Sequence, residues 1–191
     1  MLLDEKSETS AGGVNTGWIE AQDYTYERNL HISEKWNGKK LLLEFEGIYR
    51  KATVYVNRKK AAYHEYGYTG FYVDITESVN YGADNEIKVT VVNSDQPNSR
   101  WYSGTGIYRP VWLYIFPTEH ILRDEIRVKT LDYQKKKIAV DVKTTGVGML
   151  CTEIFDGEKL IVSKTIQSED TVENAICDVK EKTVEYHTEM V

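Results

Sequence analysis

The stretch Asn85-Glu86-Ile87-Lys88-Val89-Thr90-Val91-Val92-Asn93 alternates polar and apolar side chains. That is the period of a strand with one face in water and the other against a core. Ile87, Val89 and Val91 share one side, so a core is expected there. Working outward toward the N-terminus, residues 24–32 mix aromatic and polar positions at strand spacing, 40–46 and 52–57 read as strands, and 67–75 continue the meander. Asn37-Gly38 supplies a turn that favours positive φ, and Thr76 or Ser78 leads into a short irregular piece around Tyr81-Gly82. In the other direction, residues 94–106 are long, polar, aromatic and glycine-bearing, and a strand at 111–116 follows. Loops of that length are uncommon without a function.

Pro117-Thr118-Glu119 is the expected domain boundary. Beyond it strands are expected at 125–130, 137–143, 150–156, 160–166 and 175–179, with Asp156-Gly157 as one of the turns between them. This spacing suggests an immunoglobulin-like sandwich, and the 73 residues from 119 to 191 fall short of the usual length of about 100. The second sandwich is therefore expected to be small and incomplete. Fourteen Tyr, four Trp and only three Pro favour strands over helices, and the fold class is read as all-β.

Charge and composition narrow the function. The chain has 24 Lys and Arg against 30 Asp and Glu, a net charge of −6, and no basic tract dense enough to follow a phosphate backbone. Nucleic acid is not an expected partner. No apolar run approaches the roughly 20 residues that span a bilayer, so no membrane partner is expected. Met1-Leu2-Leu3-Asp4-Glu5-Lys6 puts charges where a signal peptide needs its apolar stretch, so a cytoplasmic location is expected. Cys151 and Cys177 fall in segments that read as buried strands, with no spacing that joins them to a metal site. No cofactor or metal is expected.

Three segments carry a resemblance. Gly47-Ile48-Tyr49-Arg50-Lys51-Ala52-Thr53-Val54-Tyr55-Val56-Asn57 is similar to a recurrent strand pair of glycoside hydrolase family 2, and His64-Glu65-Tyr66-Gly67-Tyr68-Thr69-Gly70-Phe71 to the turn after it. Asn98-Ser99-Arg100-Trp101-Tyr102-Ser103-Gly104-Thr105-Gly106-Ile107-Tyr108-Arg109-Pro110-Val111-Trp112-Leu113 resembles a signature segment of that family, the β-galactosidases and their kin. Small, polar residues and Gly12-Gly13 read as a loose arm at 1–16, and the resemblance implies a jelly-roll sugar-binding domain at 17–117 and an immunoglobulin-like β-sandwich at 118–191. It also implies a TIM barrel, absent from this sequence, that holds the catalytic carboxylates. Retaining glycoside hydrolysis needs two carboxyl groups about 5–5.5 Å apart. The family's acid/base glutamate follows an asparagine, but Asn85-Glu86 opens a strand, so no residue here is expected to be catalytic and the chain alone should be inactive.

Within the long loop, Arg100 and Trp101 suit a sugar: a guanidinium donates forked hydrogen bonds and an indole offers an apolar face. Asn98 and Ser99 are expected as polar lining, with Asp95 a weaker candidate. The resemblance implies that this loop reaches the mouth of the barrel's active site, where the substrate would be β-galactoside-like. Arg109 is read as structural, His64 as a surface or hydrogen-bonded residue, and Asn57 as a strand-end turn residue. Ser103 lacks the elbow of a nucleophile. Three departures from the family pattern stand out. Arg58 replaces the usual glycine, which puts a tight positive-φ turn there in doubt; the ordered chain starts close to Trp18; and residues 181–191 lack an aromatic-proline stretch. Both ends therefore read as curtailed, and unpaired strand edges would favour self-association. The rival reading is a free-standing, lectin-like carbohydrate-binding sandwich.

Overall fold

Two sheets face each other in the N-terminal part of the chain, and the alternation of its strands decides what lies between them. The computed structural model describes residues 22–94, 105–169, 173–178 and 185–190. The chain divides into two compact units, Met1–Ile115 and Phe116–Val191. In the first, the strands are β1 (Tyr24–Ile32), β2 (Lys40–Phe45), β3 (Ile48–Tyr49), β4 (Ala52–Val56), β5 (Lys59–His64), β6 (Phe71–Asp74), β7 (Ala83–Val91), β8 (Gly106–Ile107) and β9 (Val111–Phe116), with a 3-10 turn at Glu34–Trp36. They form a four-stranded sheet, β1-β7-β4-β5, a three-stranded sheet, β6-β2-β9, and the short ribbon β3-β8.

The core draws on both sheets. Leu41, Leu43 and Phe45 of β2 and Val73 of β6 share one buried cluster with Ile32 of β1, Ala52, Val54 and Val56 of β4, and Val89 and Val91 of β7. Phe45 stacks on Phe71 with ring centroids 5.1 Å apart. Each of these side chains larger than Ala52 contributes about 1.5–3 kcal/mol on leaving water. Register follows from that: sliding β4 by one residue would bury Thr53 and Tyr55 in place of Val54 and Val56. The expected core side of β7 is the observed one.

The chain corrects one expectation at Arg58. Asn57 and Arg58 both take left-handed backbone, φ 48° and 67°, and close a two-residue hairpin in which Val56 pairs with Lys59. Positive φ at both central positions matches the twist of the flanking strands. Asn57 tolerates it, and its side chain reinforces the turn. Its Nδ2 donates to the Ser78 carbonyl (3.0 Å) and to Asn85 Oδ1 (2.8 Å), while its Oδ1 accepts from the Glu86 amide (3.1 Å). Arg58 has no such local compensation, and a left-handed non-glycine residue costs about 1 kcal/mol or more. The turn launches β5, a strand not anticipated from the sequence, and Lys59 and Lys60 on this outer strand discourage edge-to-edge pairing. β6 is shorter than the expected 67–75, and β7 runs two residues earlier than 85–93.

In the second unit the strands are β10 (Ile121–Asp132), β11 (Lys137–Thr144), β12 (Val147–Asp156), β13 (Lys159–Glu169), β14 (Glu173–Asp178) and β15 (Glu185–Met190). They make two three-stranded sheets, β10-β11-β14 and β13-β12-β15. Val140 and Val142 from one sheet pack with Leu150 and Ile154 from the other. β15 was not anticipated from the sequence; it pairs antiparallel with β12, Leu150 opposite Met190. Cys151 is free and half-buried in β12, and Cys177 lies in β14. No α-helix occurs among the described residues, and no helix there is long and apolar enough to cross a membrane.

Candidate functional site

The loop that the sequence singles out leaves β7 and returns at β8. Asn98, Ser99, Arg100 and Trp101, together with Asp95 and Ser103, lie outside the described residues. Its two stems are described. At the outgoing stem the Asp23 carboxylate accepts from the backbone amides of Asn93 (2.8 Å) and Ser94 (3.0 Å), so a side chain takes over where β7 stops pairing. The Asn93 side chain is fully buried. Its Nδ2 donates to Thr105 Oγ1 (2.8 Å) on the returning stem, and its Oδ1 accepts from Arg50 Nε (3.1 Å). The Val92 amide donates to the Arg50 carbonyl (3.2 Å). One asparagine thus ties both ends of the loop to the segment between β3 and β4. A buried polar group is tolerable only when paired in this way.

The returning stem is fixed by close backbone approach. Gly106 has φ 106°, and a Cβ built on it would lie 2.0 Å from the Tyr26 hydroxyl oxygen, so only glycine fits. The same hydroxyl accepts from the Ile107 amide (3.3 Å). Two residues on, the Tyr108 ring lies over Gly47, where an added Cβ would come within 2.5 Å of it, and the Tyr108 hydroxyl donates to the Gly67 carbonyl (2.8 Å). Gly67 is covered in turn by the Tyr49 ring. Gly47 and Gly67, one from each of the first two quoted segments, are therefore seats for tyrosine rings.

Those rings continue to the surface. Tyr49 meets Tyr68 edge-on at 5.3 Å and Tyr68 meets Tyr66 at 5.6 Å. Tyr66 is 60% and Tyr68 46% exposed. Arg109, exposed, lies over the Tyr108 ring at 5.5 Å. Trp112, half exposed, donates from Nε1 to Glu46 Oε1 (2.7 Å). His64 takes a hydrogen-bonded role: Nε2 meets Thr69 Oγ1 at 3.0 Å and the ring stacks on Phe71 at 4.4 Å. Among the described residues no group of three or more His, Cys, Asp or Glu side chains is placed to hold a metal ion.

Asp23, Tyr26, Asn93 and Thr105 were missed by sequence reasoning. One signal was present: Asn93 ends an apolar strand, and a polar residue continuing a buried register needs a partner. The partners sit up to 70 residues away in the chain, as Asp23 does, and no local pattern names them.

A family model for the glycosyl hydrolase 2 galactose-binding domain-like fold matches residues 9–103. A β-galactosidase of Bacteroides ovatus is 32% identical over 165 residues, which cover 82% of this chain and 18% of that enzyme. A β-glucuronidase of Bacteroides fragilis is 36% identical over 164 residues, covering 73% of this chain and 23% of that enzyme. Among solved structures, a glycosyl hydrolase family 2 member from Bacteroides cellulosilyticus matches with a TM-score of 0.76 at 31% identity, over 100% of this chain and 25% of that one. The chain spans about a fifth of the length of the curated relatives it matches. The family match ends within the long loop, one residue after Tyr102. Through residues 9–103 the chain belongs to the galactose-binding-like domains of glycosyl hydrolase family 2.

Proposed function

We propose that the chain is the non-catalytic, sugar-binding and barrel-supporting portion of a family 2 retaining β-glycosidase acting on a β-galactoside-like substrate. The observation that carries this is the clamp on the loop stems: buried Asn93 bonded to Thr105 and Arg50, with Asp23 capping the outgoing strand. Such a clamp fixes the two ends of the loop and leaves the residues between them to meet a ligand. In this reading Arg100 donates to a sugar hydroxyl, Trp101 offers its face, and Asn98 and Ser99 supply polar lining. The paired carboxylates lie in a TIM barrel outside this sequence, and binding energy from this loop helps to orient the sugar between them.

The surface favours this reading over the free-standing lectin. Tyr66 and Tyr68, in edge-on contact, and Val111 and Trp112 on β9 are each 42–60% exposed, apolar surface of the kind that another domain covers. The test is nitrophenol release from β-galactoside and β-glucuronide substrates by the 191-residue chain and by a full-length enzyme that carries it. Only the full-length enzyme should turn over. Turnover by the chain alone, lost on Glu86→Gln, would overturn the proposal.

A further inference from the structure

The geometry points to a second carbohydrate-binding site, on the outward face of the four-stranded sheet, that takes a neutral, hydroxyl-rich sugar through Tyr55, Arg58 and Glu86. None of its lining residues belongs to the long loop, and it does not rest on the function proposed above. A cavity of about 420 Å³ there is lined by Glu27, Tyr55, Arg58, Glu86, Lys88 and Thr90. That volume falls in the range of small-molecule sites, roughly 300–1,000 Å³.

The strand register puts these side chains together. Glu27 of β1 and Tyr55 of β4 both pair with Lys88 of β7, so the three form one row across the sheet. Glu86 and Thr90 lie two residues to either side of Lys88 and share its face, opposite to the face of Val89 and Val91. The Lys88 ammonium meets Glu27 at 2.8 Å, and Glu27 beside it holds Lys88 above its ordinary pKa. That pair is closed. Glu86 also acts on Lys88 through space, and among the described residues the side chains of Arg58 and Thr90 and the Tyr55 hydroxyl have no hydrogen-bond or ion-pair partner. The cavity therefore offers a forked donor, a carboxylate acceptor, two hydroxyls and an aromatic ring. A sugar uses that set: its hydroxyls accept from Arg58 and donate to Glu86, and its apolar C–H face lies on Tyr55. Two cations against two carboxylates leave no net charge to favour an acidic ligand.

Arg58 supplies an independent observation. Its φ of 67° would suit glycine without strain, yet the chain carries arginine at this position. The positive φ itself is set by the two-residue hairpin, which places the arginine side chain at the cavity. The turn under it is stiff: Asn57 is tied to Ser78, Asn85 and Glu86 on both sides of its amide, so Arg58 is presented from a fixed backbone.

The experiment is an amide-resolved NMR titration of the 191-residue chain with β-1,4-galactotetraose and with cellotetraose, and with sodium glucuronate as the acidic control. At least one tetrasaccharide should shift the amides of residues 55, 58, 86 and 88 saturably, with a Kd on the order of 1 mM. Arg58→Gly should weaken that binding about tenfold without lowering the melting temperature, because glycine relieves the turn, and Tyr55→Ala should weaken it further. The inference fails if neither sugar shifts these amides, if glucuronate alone does so, or if Arg58→Gly binds as tightly as the parent chain.

Discussion

Asn85 and Asn93 stand near the two ends of β7, both fully buried, and they do different work. Asn85 Oδ1 accepts from the Asn80 amide (2.7 Å) and from Asn57 Nδ2, and its Nδ2 donates to the carbonyls of Asn80 (2.9 Å) and Ala83 (3.1 Å). Three of those four bonds go to backbone within five residues. Asn93 instead bonds side chains from separate segments, Arg50 and Thr105. Buried amide networks of the first kind close turns and hold the fold. Those of the second kind hold distant segments in register, and here they hold both stems of the loop for which sugar contact is proposed.

The comparison makes unequal demands on the two residues. Asn85→Ala leaves several buried donors and acceptors without partners, each worth about 1–3 kcal/mol, so a loss of about 3 kcal/mol is expected. That corresponds to a fall of about 15 °C in the melting temperature of a domain this size. Asn93→Ala should cost about 2 kcal/mol, because the Asp23 cap on the backbone remains. In a full-length enzyme the order should invert. Asn93→Ala is expected to lower kcat/KM about tenfold, some 1.4 kcal/mol, while Asn85→Ala leaves it intact per folded molecule. Equal kinetic losses from both would break the distinction between fold-holding and loop-holding asparagines.

A smaller effect sits at the far edge of the same sandwich. Burial alone would raise the Asp74 pKa, but hydrogen bonds from Lys40 and Thr76 outweigh it and hold the carboxyl below its ordinary 3.8. A lowered folded pKa means that the stabilisation is fully present above the unfolded value, near 3.9, and is lost as pH falls through the folded one. Because the pair is about half exposed, the contribution is at most a fraction of ~1 kcal/mol. Melting curves from pH 5 to pH 2 should show a shallower acid limb for Asp74→Asn than for the parent chain. Identical limbs would remove Asp74 from the account.

Much of this architecture was legible because alternation is a local signal. β1, β4 and β7 follow from period-two runs whose apolar members need a common face. β5 was not legible, since the hairpin before it depends on Asn57 reaching Asn85, and without that contact Arg58 argues against a tight turn. β15 escaped for a similar reason: its backbone is specified by pairing with β12, whose partner residues lie 30 to 40 positions earlier. For the candidate site, length and composition single out the loop, and nothing local points to the clamp on its stems. Asn93, Thr105, Arg50 and Asp23 become one unit only after three strands have paired. The outward face of β7 was read as solvated, because the register that aligns Glu27, Lys88 and Tyr55 joins three separate strands.

Arg100→Ala in a full-length enzyme that carries this chain tests the central claim most directly, with kcat/KM and melting temperature read on the same preparation. If the loop serves the substrate, removing a charge-assisted hydrogen bond to a sugar hydroxyl should cost about 1.5–3 kcal/mol of transition-state binding, roughly ten- to a hundredfold in kcat/KM. The melting temperature should hardly change. A variant that melts earlier yet keeps its full kcat/KM would show Arg100 to be a brace for the loop and would contradict the assignment.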